Sequence, residues 1–218
     1  MVNGERVTTD DHRLALFDVT FAVVDVETTG GGPATNSLTE IAAAKFRGGE
    51  CLGTFATLVD PDDTIPPFIS ALTGITDDMV RGAPSVPGVL PAFVEFVRGA
   101  VIVGHNVEFD LSFLNAALEE NERLPLDNIV VDTLALARRL VPEEVPNCRL
   151  ATLASAMALD HRPAHRALDD VLATADLLHR LIEDATGFGV LHLGQLVELP
   201  AFIPTIERNR SRRLGALL

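Results

Sequence analysis

Hydrophobic and polar positions follow two rhythms along the chain, and the change between them predicts its layout. Phe21-Ala22-Val23-Val24-Asp25-Val26 is an apolar run ended by Thr28-Thr29-Gly30-Gly31-Gly32-Pro33. It reads as a buried strand entering a glycine-rich turn. Leu38 to Phe46 and Leu52 to Val59 follow, separated by Arg47-Gly48-Gly49-Glu50-Cys51. That spacing predicts an antiparallel hairpin, with Gly48-Gly49 supplying the positive-φ positions. Together the three segments suggest a meander with one strand in a central, buried place.

Helical spacing then takes over. Pro66 to Leu72 predicts a short helix that opens on prolines, where a first turn tolerates them. Thr76-Asp77-Asp78-Met79 resembles an N-cap followed by first-turn acids. Val89, Phe93, Phe96 and Val97 share one face of a helix that ends at Gly99. Ala100 to Val103 and Ile129 to Val131 are further strand candidates. They lead into helices from about Glu108 to Asn121 and from Thr133 to Leu140. Leu150, Leu153 and Ala154 start another helix, and the longest runs from about Ala167 to Glu183. The fold class is therefore α/β, with a mixed central sheet flanked by helices: an antiparallel three-strand meander plus two further strands. Near Gly187-Phe188-Gly189 the pattern breaks. Residues 1–186 are expected to form the main domain, and 187–218 a helix-and-linker appendage with a basic tail.

Composition narrows the class. A chain of 218 residues suits one domain plus an appendage, and 47% hydrophobic residues exclude disorder over most of it. No apolar run approaches the roughly 20 residues that a membrane span needs. Residues 1–11 lack the basic start and apolar core of a secretion signal. Cys51 and Cys148, far apart, suit a reducing compartment, so a cytoplasmic location is expected. A net charge of -14 argues against broad electrostatic binding of duplex nucleic acid. Carboxylates that bind divalent cations inflate that figure, and two ions would cancel about four units. Arg208, Arg210, Arg212 and Arg213 form a basic run that reads as a solvated tail or a nucleic-acid contact.

Three segments carry candidate chemistry. In Asp25-Val26-Glu27, positions i and i+2 of a strand point to one side, where two buried acids are costly unless a cation compensates. Alternatively, Asp25 caps a turn and Glu27 has already left the strand. In His105-Asn106-Val107-Glu108-Phe109-Asp110 the acids also suit a helix start, with Asn106 as the cap. In His165-Arg166-Ala167-Leu168-Asp169-Asp170 both aspartates suit a first turn in the same way. Each segment is ambiguous alone.

Their order and spelling resemble the DEDDh exonucleases, the group that contains the proofreading subunit of bacterial DNA polymerase III. D-x-E-T-T-G stands at Asp25 to Gly30, H-N-x-x-F-D at His105 to Asp110, and H-x-x-x-x-D at His165 to Asp170. Leu72-Thr73-Gly74-Ile75-Thr76, Val131-Asp132-Thr133-Leu134 and Asn147-x-x-Leu150-x-x-Leu153 are smaller echoes. From Phe17 onward, through Ile203-Pro204-Thr205, the chain is also similar to the front half of proteins in which such a domain precedes a GIY-YIG endonuclease module.

The resemblance implies an RNase H-like fold and a two-metal mechanism. By position, Asp25, Glu27, Asp110 and Asp170 become ligands of two divalent ions, Mg²⁺ or Mn²⁺, and His165 the general base. Asp169 is the alternative to Asp170. Such ions, about 3.5–4 Å apart, activate the attacking water and stabilise the leaving oxygen. A histidine with an ordinary pKa of about 6.5 can take the water's proton near neutral pH. Thr28, Thr29 and Leu72 are implied near the terminal nucleotide, whereas His105 and Asn106 order their own turn or touch substrate. Asp132 is expected to cap the helix that follows it.

The expected activity is 3′–5′ removal of nucleoside monophosphates, with DNA favoured over RNA. The implied partners are a nucleic-acid 3′ end and a DNA polymerase subunit or a fused or partner endonuclease. The rival reading is a non-catalytic exonuclease-like module.

Overall fold

The computed structural model describes residues 11–201. The readings of residues 1–10, of Ile203-Pro204-Thr205 and of the run from Arg208 to Arg213 lie outside the described residues. Five strands form one sheet: β1 (Phe21–Thr28), β2 (Leu38–Arg47), β3 (Glu50–Leu58), β4 (Val101–Gly104) and β5 (Val130–Asp132). Their order is β3-β2-β1-β4-β5. β1, β2 and β3 pair antiparallel, while β4 and β5 add parallel to β1. The predicted meander plus two strands is what forms. Gly48 (φ 57°) and Gly49 (φ 84°) make the β2–β3 turn in the left-handed region that glycine enters without steric cost.

The helices are α1 (Pro67–Thr73), α2 (Asp77–Val80), α3 (Val86–Val97), α4 (Val107–Glu120), α5 (Thr133–Leu140), α6 (Leu150–Ala156), α7 (Ala167–Thr186) and α8 (Leu193–Glu198). Among the described residues, no helix is long and apolar enough to cross a membrane. Strand alternation divides the core in two. Phe21, Val23, Ala42 and Ala44 pack on one face against Val171, Ala175 and Leu178 of α7. Ala22, Val24, Ile41 and Ala43 pack on the other against Phe93 of α3 and Leu114 of α4. Leu193, Leu196 and Leu199, within the stretch expected as an appendage, are buried in the α7-side cluster.

One local expectation changes in detail. Thr76 stands at the N-cap of α2 but its hydroxyl makes no capping bond. Asp77 turns away to accept the N–H of Ile65 at 2.8 Å, tying the start of α2 to the chain entering α1. Asp132 does cap α5, accepting from Leu134 N at 2.9 Å.

Candidate active site

β1 runs through Thr28, so Glu27 remains within the strand, opposite Glu40 of β2. Asp25 and Glu27 continue the stripe of Phe21 and Val23 that faces α7, because alternate strand residues share a face. The alternative in which Glu27 leaves the strand is thereby excluded.

Asp110 arrives from the second motif. Gly104 ends β4 where the chain doubles back closely: a Cβ there would lie 2.9 Å from Val107 Cγ2 and 3.2 Å from Val107 Cα. Asn106 takes the left-handed region (φ 72°), which asparagine tolerates better than most residues, and its N–H donates to Asp132 Oδ1 at 2.9 Å. Its side chain makes no capping bond, so it serves the turn through its backbone. His105 Nδ1 lies 3.0 Å from Thr133 Oγ1, and Nε2 donates to the Cys148 carbonyl at 2.8 Å. Burial pushes the His105 pKa down. This turn starts α4 so that Asp110, 4% exposed, accepts the N–H of Val26 at 3.0 Å, between the two acids of β1.

The third motif opens α7. Asp170 is buried and accepts from Ala164 N at 2.8 Å, whereas Asp169 is exposed. His165 is exposed, with φ 55°. Glu27, His165 and Asp170 each offer a ligand atom within 4.8 Å of the others.

The crowded acids act on one another electrostatically. Burial, then the charges of Asp110, Asp170, Glu27 and Glu40, hold Asp25 well above the ordinary carboxylate range. Burial, Asp170 and Glu40 push Glu27 up to about 7, against the opposing charge of Arg166. Burial raises Asp110 to about 8 although Val26 N–H favours its charged form. Asp170 is raised as well, chiefly by burial. Four acids driven toward neutrality, beside one imidazole, suit a hard divalent cation that would return them to the charged form.

The residues expected near a terminal nucleotide differ in exposure. Thr28 and Thr29 are buried: Thr28 Oγ1 donates to Gly30 O at 2.7 Å, and Thr29 Oγ1 accepts Ser37 N at 2.9 Å. Their side chains hold the turn. Leu72 is 52% exposed on α1, whose Ile69 packs with Ile65, Ile75, Val80 and Leu58, the last residue of β3.

Sequence reasoning missed Glu40 and Arg166. Glu40 is 5% exposed and accepts Arg166 Nη2 at 2.8 Å, Arg166 Nε at 3.1 Å and Ala167 N at 2.9 Å. The available signal was one carboxylate inside the otherwise uncharged start of β2, next to Ile41-Ala42-Ala43-Ala44.

Comparison with known proteins agrees with this arrangement. The chain is 44% identical over 211 residues to a Mycobacterium tuberculosis protein named as a bifunctional exonuclease/endonuclease, a match covering 93% of this chain and 32% of that one. It is 39% identical over 194 residues to the PolC-type DNA polymerase III of Halalkalibacterium halodurans, covering 89% and 14%. The chain thus spans a third or less of these curated relatives. Its fold matches Exonuclease X, solved in complex with 5′ overhanging duplex DNA, with TM-score 0.65 and 27% identity over 83% of this chain and 99% of that one. Residues 22–178 match the exonuclease family RNase_T, which takes in all three motif segments, and the chain belongs to that family.

Proposed function

We propose that this chain hydrolyses the terminal phosphodiester at the 3′ end of a DNA strand and releases a nucleoside monophosphate. Asp25, Glu27, Asp110 and Asp170 hold two divalent ions, Mg²⁺ or Mn²⁺. When bound, these supply charge to activate water and to stabilise the departing 3′-oxygen. His165, exposed beside Glu27 and Asp170, accepts the proton of the attacking water. The observation that carries the reading is the convergence of Glu27, His165 and Asp170 within 4.8 Å from elements far apart in the chain.

A path for the strand supports it. A groove of about 950 Å³ reaches His165 and Asp170 and is walled by Asn106, Arg138, Asn147 and Arg149. Neither arginine has an ion-pair partner among the described residues. A second groove, of about 660 Å³ along residues 33–38, is edged by Asp60, Asp62 and Glu120, with no Lys or Arg in its wall. Phosphates favour the first. Leu72 lies on the β3 side of the site and this groove on the β5 side. The 3′-terminal nucleotide accordingly sits toward Leu72 and the backbone around Thr28 and Thr29, and the rest of the strand leaves past Arg138 and Arg149. Asn106 borders that exit and His105 holds its wall through Cys148.

DNA is preferred to RNA on the strength of the polymerase relatives and the DNA-bound Exonuclease X. The reaction belongs to residues 1–186, while Leu193, Leu196 and Leu199 seal the core behind it. In a longer protein, the natural partner is a polymerase or an endonuclease module, as in the names of the relatives. The test uses purified protein with Mg²⁺ on single-stranded DNA and RNA of matched sequence, each labelled at the 5′ end. A ladder of DNA products shortened from the 3′ end, absent for Asp25→Ala, is expected. Cleavage that persists in Asp25→Ala would refute the metal assignment.

A further inference from the structure

The position of His165 is set from both sides. It is exposed, it belongs to the loop between α6 and α7, and it holds the left-handed backbone region at φ 55°. That region is sparsely populated by residues with a Cβ, although histidine enters it more readily than most. Here the chain is tethered on both sides of the residue. Before it, Ala164 N donates to Asp170 Oδ1. After it, Arg166 and Ala167 both bond Glu40, 126 and 127 positions distant in sequence.

Glu40 is an unexpected residue for this place. It pairs with Glu27 across the β1–β2 ladder, and it shares the α7-facing side with Ala42 and Ala44. Its charge adds to the repulsion felt by Asp25 and Glu27. An apolar residue would spare the acid cluster that repulsion. What Glu40 supplies instead is a buried, forked acceptor. Two guanidinium N–H groups on one carboxylate fix the plane of the Arg166 side chain, and the third bond fixes the peptide that follows. Together these set the extended backbone of Arg166 (φ -130°, ψ 125°) and the direction in which the preceding residue leaves it.

We propose that Glu40 and Arg166 are positioning residues for His165: their ion pair, between β2 and the start of α7, aims the imidazole at the Glu27–Asp170 cluster. This rests on the reading of His165 as proton acceptor. The pair carries no net charge, Arg166 offsets at Glu27 the repulsion that Glu40 adds, and the role proposed for the pair is geometric. It alters how well the base is aimed, while the carboxylates keep their places on β1, α4 and α7.

A double-mutant cycle tests this. The pair variant Glu40→Gln/Arg166→Met leaves no lone buried charge and keeps the net charge. It is expected to lower kcat about 10–100-fold with little change in KM, the scale of a displaced catalytic group. Placed on His165→Ala, the same pair change should alter kcat by about twofold or less, because the group it aims is gone. Equal losses in both backgrounds would overturn the proposal. The Mg²⁺-induced rise in Tm should stay at the wild-type value in the pair variant, and its loss would show that the pair serves the metal site instead.

A second readout does not depend on activity. In protein labelled with ¹⁵N-histidine, the His165 imidazole resonance, assigned by its absence in His165→Ala, should shift or broaden in the pair variant. An unchanged resonance overturns the proposal. Should His165→Ala cleave DNA as well as wild type, the proton-acceptor role fails, and this spectrum still decides whether the pair positions the ring. Arg166→Lys keeps the charge but lacks the fork, and is expected to recover only part of the rate.

Discussion

The two halves of the site are built in opposite ways. Asp25 and Glu27 lie where β1 pairs with β2, just past Val23, the last β1 residue paired with β4, and Asp110 is locked onto that strand through Val26 N. Regular structure sets their directions. Asp170 and His165 come from the start of α7 and the loop before it, where His165 is exposed and its backbone left-handed. There, a few long-range hydrogen bonds do what sheet geometry does on the other side. A metal cage benefits from the rigid construction, because ligands must stay together against their own repulsion. A proton acceptor has to meet a water and then release its proton to solvent, which suits an exposed, tethered loop.

Substitutions can break this comparison. Asp25→Ala strikes the rigid half and is expected to reduce kcat by at least about 10³-fold, read from initial rates on a labelled oligonucleotide. His165→Ala strikes the tethered half and should cost about 10²-fold, leaving measurable metal-dependent cleavage. Equal losses would remove the contrast between the halves, and a reversed order would mean that the loop, and not the strand, dominates catalysis.

The acids also make metal-free stability depend on pH. Glu27 has a folded pKa of about 7 against an ordinary 4.5, and Asp110 about 8 against 3.8, so the folded state binds more protons between these limits. For a raised carboxyl, stability is present below the unfolded pKa and is lost as pH rises through the folded one. In the presence of a chelator, Tm should therefore fall by about 5 °C or more from pH 5 to pH 8. Mg²⁺ should restore it, and more at pH 8 than at pH 5. A chelated protein whose Tm rises over that interval would contradict the crowding of the four acids.

The smallest effect concerns the groove beside the tethered half. Arg138→Ala/Arg149→Ala should raise KM about tenfold with kcat nearly unchanged. It should also flatten the dependence of log KM on log salt by about 1.4, as expected for two lost contacts to a single strand. A variant with unaltered salt dependence would place the strand elsewhere.

Much of the framework was legible in the chain. The apolar run of β1, the Gly48-Gly49 hairpin and the apolar face of α7 are local patterns, and local sterics and burial decide them. Motif spelling singled out Asp25, Glu27, Asp110, His165 and Asp170, because chemistry restricts residue types at short spacing. It did not show how those segments approach one another. The sheet order, which sets β1 between β2 and β4, decided that. Packing also distinguished Asp170 from Asp169, since only one of two adjacent helix residues can turn inward. The bonds from His105 to Cys148 and from Arg166 to Glu40 join residues 43 and 126 positions apart. Neither bond leaves a local periodicity, because each arises only when separate elements close on a common core. Residue types and element types were thus determined by the sequence; which polar groups face each other across that core was decided by the tertiary structure.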